Sequence, residues 1–186
     1  MNKATWDTIA KPIVVLVVIC LITSTLLAVT NNATAPIIAE AEKSATNEAY
    51  KAVLPEADSF TDVTAQVSTE GIASAAVANN GAGYAVRAIG RGYGGDVPVV
   101  VGIGPDGSIV SVQFMQNSES AGFGMKLWDG NQAGIDFAAS LAGQGGSVAK
   151  GENGVDGITG ATISTNAALS AVNSALACYE QLKEVA

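Results

Sequence analysis

Val97-Pro98-Val99-Val100-Val101-Gly102-Ile103, then Gly104-Pro105-Asp106-Gly107-Ser108, then Ile109-Val110-Ser111-Val112-Gln113-Phe114-Met115 read in succession as strand, turn and strand. β-Branched residues dominate both flanks. The central Gly-Pro-Asp-Gly-Ser supplies the backbone freedom and local hydrogen bonds of a hairpin connection. In the second flank Val110, Val112 and Phe114 alternate with Ser111 and Gln113, which predicts one buried face and one wet face. Upstream, Tyr84-Ala85-Val86-Arg87-Ala88-Ile89 has the same character, so strands begin near Gly83 and an antiparallel sheet follows.

Downstream of the sheet, Ile163 to Leu182 is a helix. Its apolar positions Ala168, Ala171, Val172, Ala175, Leu176, Tyr179 and Leu182 recur at three and four, while Asn166, Ser170, Asn173 and Glu180 take the other side. Upstream, Ala35 to Val53 is rich in Ala, Glu and Lys and reads as a helix or stalk ending before Pro55. Residues 56–82 are rich in Ser, Thr, Ala and Gly and show no decisive period. The expected class is α+β, a small antiparallel sheet packed with helices behind one N-terminal transmembrane helix.

That transmembrane helix is read from the longest apolar run. No charged residue lies between Pro12 and Ala39, and the 17 residues from Ile13 to Val29 are almost wholly apolar. At ~1.5 Å per residue they span about 26 Å, close to the thickness of a bilayer core when Ile9 and Ala10 are added. A cleavable signal peptide is the competing reading, since Ala33-Thr34-Ala35 offers a cleavage pattern. Pro36 would directly follow that cut, where proline is poorly tolerated, and the apolar run is longer than a signal needs. A lipoprotein signal fails because Ile19 precedes Cys20. Lys3 and Lys11 precede the helix and Glu40 and Glu42 follow it, so the positive-inside rule places the N-terminus in the cytoplasm. The expected division is 1–11 cytoplasmic, 12–30 transmembrane, 31–82 stalk and start of the exported domain, and 83–186 domain core.

The 186 residues carry 9 Lys+Arg against 17 Asp+Glu, a net charge of −8, and no histidine. Lacking histidine, the chain has no Ser-His-Asp or Cys-His nucleophile system, no His-ligated zinc and no imidazole switch. The acidic balance argues against nucleic acid as a partner and against a polybasic membrane surface. Charged residues make up only 14% of the chain and mean hydropathy is +0.33, which the apolar run largely accounts for. Cys20 lies inside that run and Cys178 near the C-terminus, so both are read as free thiols.

Two glycine-rich segments invite functional readings. Gly90, Gly92 and Gly95 satisfy G-x-G-x-x-G, but a strand rather than a helix follows, so this is read as a hairpin connection and not as a dinucleotide site. The second, Val155 to Thr165, feeds hydroxyl residues into the start of the C-terminal helix, where backbone N–H groups favour an anion. Helix capping by Thr159, Thr162 or Ser164 is the alternative.

Asp156-Gly157-Ile158-Thr159-Gly160-Ala161-Thr162 closely resembles the Asp-x-x-Ser/Thr-Gly-Ala-Ser/Thr motif of the FMN-binding domain family. In that family the last hydroxyl is esterified to the FMN phosphate by a separate flavin transferase, and here it belongs to Thr162. Gly92-Tyr93-Gly94-Gly95, the Pro-Asp-Gly hairpin and Glu119-Ser120-Ala121-Gly122-Phe123-Gly124 occur in the family's order, so the resemblance covers residues 83–182. With the N-terminal anchor, the arrangement is similar to the G subunits of Rnf complexes, and this shorter chain fits them better than the C subunits of sodium-pumping NADH:quinone reductases. The family pattern His-x-Glu-Thr-Pro-Gly-Leu-Gly is met by Asn117, Ser118, Glu119, Ser120, Ala121, Gly122, Phe123 and Gly124, which excludes a histidine role and removes the proline's restraint on the loop.

The resemblance implies covalent FMN on Thr162, with Thr159, Gly160, Ala161, Asp156, Glu119, Ser120 and Gly122 around it, and no catalytic acid-base set or metal of the chain's own. A phosphodiester keeps one negative charge, which the helix N-terminus can solvate while Gly157 and Gly160 let the backbone approach. Asp156 is better suited to helping the transferase or capping the turn than to touching phosphate. Glu119 is either an acceptor for a flavin N–H or ribityl hydroxyl, or an exposed loop acid. Phe123, Met125, Leu127 and Trp128 either wall the isoalloxazine or pack in the core, and Arg87 and Arg91 are solvated charges by default. The implied function is a membrane-anchored electron-transfer subunit of an ion-translocating ferredoxin:NAD oxidoreductase, partnered by other membrane subunits, with its flavin domain on the extracytoplasmic face. The rival functions are a noncatalytic tethered adhesion or scaffold domain and a sensor binding flavin noncovalently.

Overall fold

The computed structural model describes residues 10–153 and 155–185. Lys3, half of the orientation argument, lies outside them. The chain divides into a unit ending at Ala45 and a second beginning at Thr46.

Helix α1, Lys11–Val53, belongs to both units by sequence. The expected membrane helix and the expected stalk are one element, with Pro36 inside it. Its most apolar 18-residue window has a mean hydropathy of 2.8 and no buried residue, so the helix is long and apolar enough to cross a membrane. Threonine hydroxyls in and just after the run bond within the helix: Thr23 Oγ1 donates to Ile19 O at 2.9 Å, Thr25 to Leu21 O at 2.7 Å and Thr30 to Leu26 O at 2.9 Å. Polar side chains that bond their own backbone need no water, which suits them to an apolar surrounding.

In the second unit five strands form an antiparallel meander in sequence order: β1 (Phe60–Asp62), β2 (Ile72–Ala78), β3 (Tyr84–Arg91), β4 (Asp96–Ile103) and β5 (Ile109–Phe114). The valine run of β4 follows from burial on both faces. Val97, Val99, Val101 and Ile103 join the main core, while Val100 packs with Ala49, Tyr50, Val53 and Leu54 at the end of α1 and just beyond it. Gly102 leaves no room for a Cβ because the Val53 backbone lies directly against it. The expected alternation of β5 breaks at its start. Ile103 pairs with Ile109 and Gly102 with Ser111, so Val110 is the extra residue of a bulge and is 44% exposed, with Ile109 buried in its place.

Helices α2 (Gln132–Leu141) and α3 (Thr162–Val185) cover the main face. All seven apolar positions predicted for the C-terminal helix are buried. Its small residues permit close approach: the Ala167 backbone sits directly over Gly90 of β3. Tyr179 Oη donates to Pro105 O at 2.8 Å, which ties α3 to the hairpin turn, and Asp106 accepts from Ser108 N and Oγ at 3.0 and 2.7 Å within that turn. Those bonds hold the Asp106 carboxyl below its ordinary range.

Both cysteines are free, Cys20 exposed on α1 and Cys178 buried in α3. Burial pushes the Cys178 thiol up to about 11, so neither access nor thiolate is provided in the folded state. Iodoacetamide at pH 8 should therefore modify Cys178 only after denaturant is added, as read by peptide mass; rapid labelling of Cys178 in the folded chain contradicts this packing.

Candidate functional site

Three segments meet at one end of α3. The first is the β3–β4 connection, closed by Gly92 N donating to Gly95 O at 2.8 Å, which makes the G-x-G-x-x-G stretch a hairpin turn as expected. The second is the loop from Met115 to the 3-10 turn Gly124–Leu127. The third is the turn at 155–161, where Gly160 takes a left-handed φ of 82° and Ala161 N donates to Ile158 O at 3.0 Å.

Glu119 knots these segments together. It is only 5% exposed, so the exposed-acid reading is wrong. Its Oε1 accepts from Gly94 N at 2.8 Å, and its Oε2 accepts a short hydrogen bond from Ser164 Oγ, itself 3% exposed. Each oxygen has one described donor and lone-pair capacity for another, as the other reading, an acceptor for flavin, requires. Asn117, standing where the family pattern has histidine, accepts from Glu119 N and Trp128 Nε1, both at 3.1 Å. These bonds restrain the loop that lacks the proline.

Above Glu119 lies a cleft of about 530 Å³ lined by Tyr93, Ser120, Phe123, Gly160, Ala161 and Thr162, with Glu119, Gly124 and Ser164 at its base. Thr162 is the first residue of α3 and is exposed. Ala161, directly before it, has no side chain able to cap the helix, and among the described residues no side chain accepts from the N–H groups of Thr162, Ile163 or Ser164, which suits them to an outside acceptor. Of the residues offered for capping, Ser164 is spent on Glu119. The inward-facing Thr165 Oγ1 accepts from Ile158 N at 3.2 Å.

The cleft thus gathers Thr162, Gly160, Ala161, Glu119 and Ser120 from the sequence expectations, and Gly122 lies between the lining residues Ala121 and Phe123 with a left-handed φ of 76°. It does not gather Asp156 and Thr159. These line a separate depression of about 360 Å³ with Lys126, Asp136 and Ser140. Of the four proposed ring walls, Leu127 is buried in the core, Trp128 packs against it, and Met125 is not among the residues lining the cleft. Phe123, 57% exposed, stands at the mouth. Sequence reasoning missed Tyr93, 75% exposed on the opposite loop, although it sits inside a quoted motif.

A flavin mononucleotide suits this donor set. The cleft is of small-ligand size, has a mostly apolar rim with two aromatic rings, and opens on a helix N-terminus whose entry glycine admits close approach. These features are what an FMN-binding domain joined to an apolar helix requires.

The comparisons agree. The sequence model of the FMN-binding domain matches residues 92–177, and that of the RnfG N-terminal region matches residues 1–53. The chain is 31% identical to the G subunit of the Na(+)-translocating ferredoxin:NAD(+) oxidoreductase complex of Acetobacterium woodii, over 96% of this chain and 95% of that protein. It is 32% identical to the G subunit of the ion-translocating oxidoreductase complex of Methanosarcina acetivorans, over 90% and 93%. With the corresponding protein of Cereibacter sphaeroides identity is 28%, over 87% and 80%. The chain belongs to the Rnf G-subunit family, the G subunits of ion-translocating oxidoreductase complexes.

Proposed function

We propose that this chain is the flavoprotein subunit of an ion-translocating ferredoxin:NAD oxidoreductase, carrying FMN through a phosphodiester to Thr162. The observation that supports this best is the placement of the exposed Thr162 hydroxyl at the uncapped start of α3, on the edge of the cleft over Glu119. When bound, the flavin supplies the electron-carrying chemistry. The residues of the chain attach, orient and shield it.

Thr162 would hold the flavin as a phosphate ester: a transferase would form the Oγ1–P bond while the P–O bond to the leaving phosphate-bearing half of a flavin dinucleotide donor breaks, the hydroxyl proton passing to solvent. The remaining phosphate charge is met by the first-turn amides of α3. Gly160 would let the backbone approach it, and Tyr93 and Phe123, which line the cleft, would shield a bound flavin from water. Asp156 and Thr159, in the adjoining depression, are open to the transferase. Coexpression with a flavin transferase proven on a control should give a fluorescent band on a denaturing gel. A dark band overturns the covalent reading, leaving an unloaded scaffold domain or a noncovalent sensor.

We further propose that the N-terminus is cytoplasmic and residues after about 30 are exported, as the flanking charges of α1 favour. Alkaline phosphatase fused after Ala186 should then be active in intact cells. Activity of a cytoplasm-only reporter at the same position contradicts it.

A further inference from the structure

The cleft has an acid buried in its base whose side-chain hydrogen bonds, among the described residues, come from neutral donors. The hydrogen-bond partners of Glu119 are the Gly94 amide and the Ser164 hydroxyl, both neutral. Backbone is thinned to admit the carboxylate: a Cβ on Gly92 would collide with its Oε1, and one on Gly124 would meet both its side chain and Ser164. The same residue joins the turn that carries Tyr93 to the helix turn that carries Thr162.

We propose that Glu119 is a positioning residue whose charge also makes the bound flavin harder to reduce. The inference rests on the flavin reading above. Any group filling the cleft lies against its lining, which includes Glu119. Reduction adds negative charge to that group, and a fixed carboxylate within several ångströms opposes it. At an effective dielectric of about 20 and a separation of ~6–8 Å, the opposition is worth about tenfold or more in the reduction equilibrium. The donors on Gly94 and Ser164 hold the carboxylate in place and draw off part of its charge.

The test is the midpoint potential of flavin-loaded full-length chains, read by spectroelectrochemical titration. Glu119→Gln keeps the shape and removes the charge, so the potential should rise. At the wild-type midpoint the oxidised-to-reduced ratio should fall about tenfold, about 30 mV for a two-electron couple. Ser164→Ala keeps the charge but removes a donor, so the potential should fall by a smaller amount. A cleft that is merely loosened moves both variants the same way, which overturns the proposal, as does an unchanged potential in Glu119→Gln. Should Glu119→Gln take no flavin, Ser164→Ala decides alone: a fall supports the proposal, and no change or a rise overturns it. A wild-type chain that takes no flavin instead refutes the ester reading on which the proposal rests.

Discussion

Thr162→Val should lose covalent flavin altogether, with in-gel fluorescence falling at least about 100-fold while folding is unaffected. Valine is nearly isosteric with threonine but has no hydroxyl to esterify, and the site is exposed, where substitutions usually change stability by no more than about 0.5 kcal/mol. Thr162→Ser should retain the linkage. Thr159→Val should only reduce its extent, because Thr159 lines the depression beside the cleft rather than the cleft itself. Circular dichroism and a thermal melt on each variant separate lost attachment from lost fold. Fluorescence persisting on Thr162→Val would place the ester elsewhere.

Gly90→Ala should produce the largest loss of stability of any single methyl added to the sheet. The new Cβ falls on the Ala167 carbonyl, and both sides of that contact are backbone, so no rotamer change relieves it. Either β3 or α3 must move, at a cost of about 3 kcal/mol, and displacement of α3 also disturbs the Ser164–Glu119 bond made by the preceding turn of that helix. Gly122→Ala offers the contrast. It has a left-handed φ but nothing within 4 Å, so strain alone should cost about 1–2 kcal/mol. Urea titration of the two variants measures the difference, and equal midpoints contradict the packing described for α3 on β3.

Those contacts also explain what the sequence conveys and what it hides. The three strands from Tyr84 onward and the C-terminal helix are legible because large β-branched and periodic residues mark their buried faces. Strands β1 and β2 are not, since β2 buries Ala75, Ala76 and Ala78, side chains too small to create a strong alternating signal. Helix α2 is easily missed although its start is marked by Asn131, whose side chain accepts from Ala133 N, and its core face by Phe137 and Leu141 one turn apart. The bulge at Val110 depends on cross-strand pairing with β4, a relation that composition does not carry.

At the site, the motifs locate Thr162 and Glu119 but not their surroundings. An acid in a polar loop reads as exposed, and only the convergence of Gly92, Gly94 and Gly124 on Glu119 shows why it is buried. The attachment motif also reads as one site, yet its first and fourth residues, Asp156 and Thr159, line a different depression from its last. Tyr93 is hard to single out because the glycines on either side point to the turn rather than to its side chain.

The central claim is the identity of one linked atom, and peptide mapping by tandem mass spectrometry tests it most directly. After coexpression with an active flavin transferase, the peptide containing residues 156–165 should carry the mass of FMN less one water, with fragment ions placing it on Thr162. An unmodified peptide, or fragments placing the flavin on Thr159 or Ser164, would contradict the account.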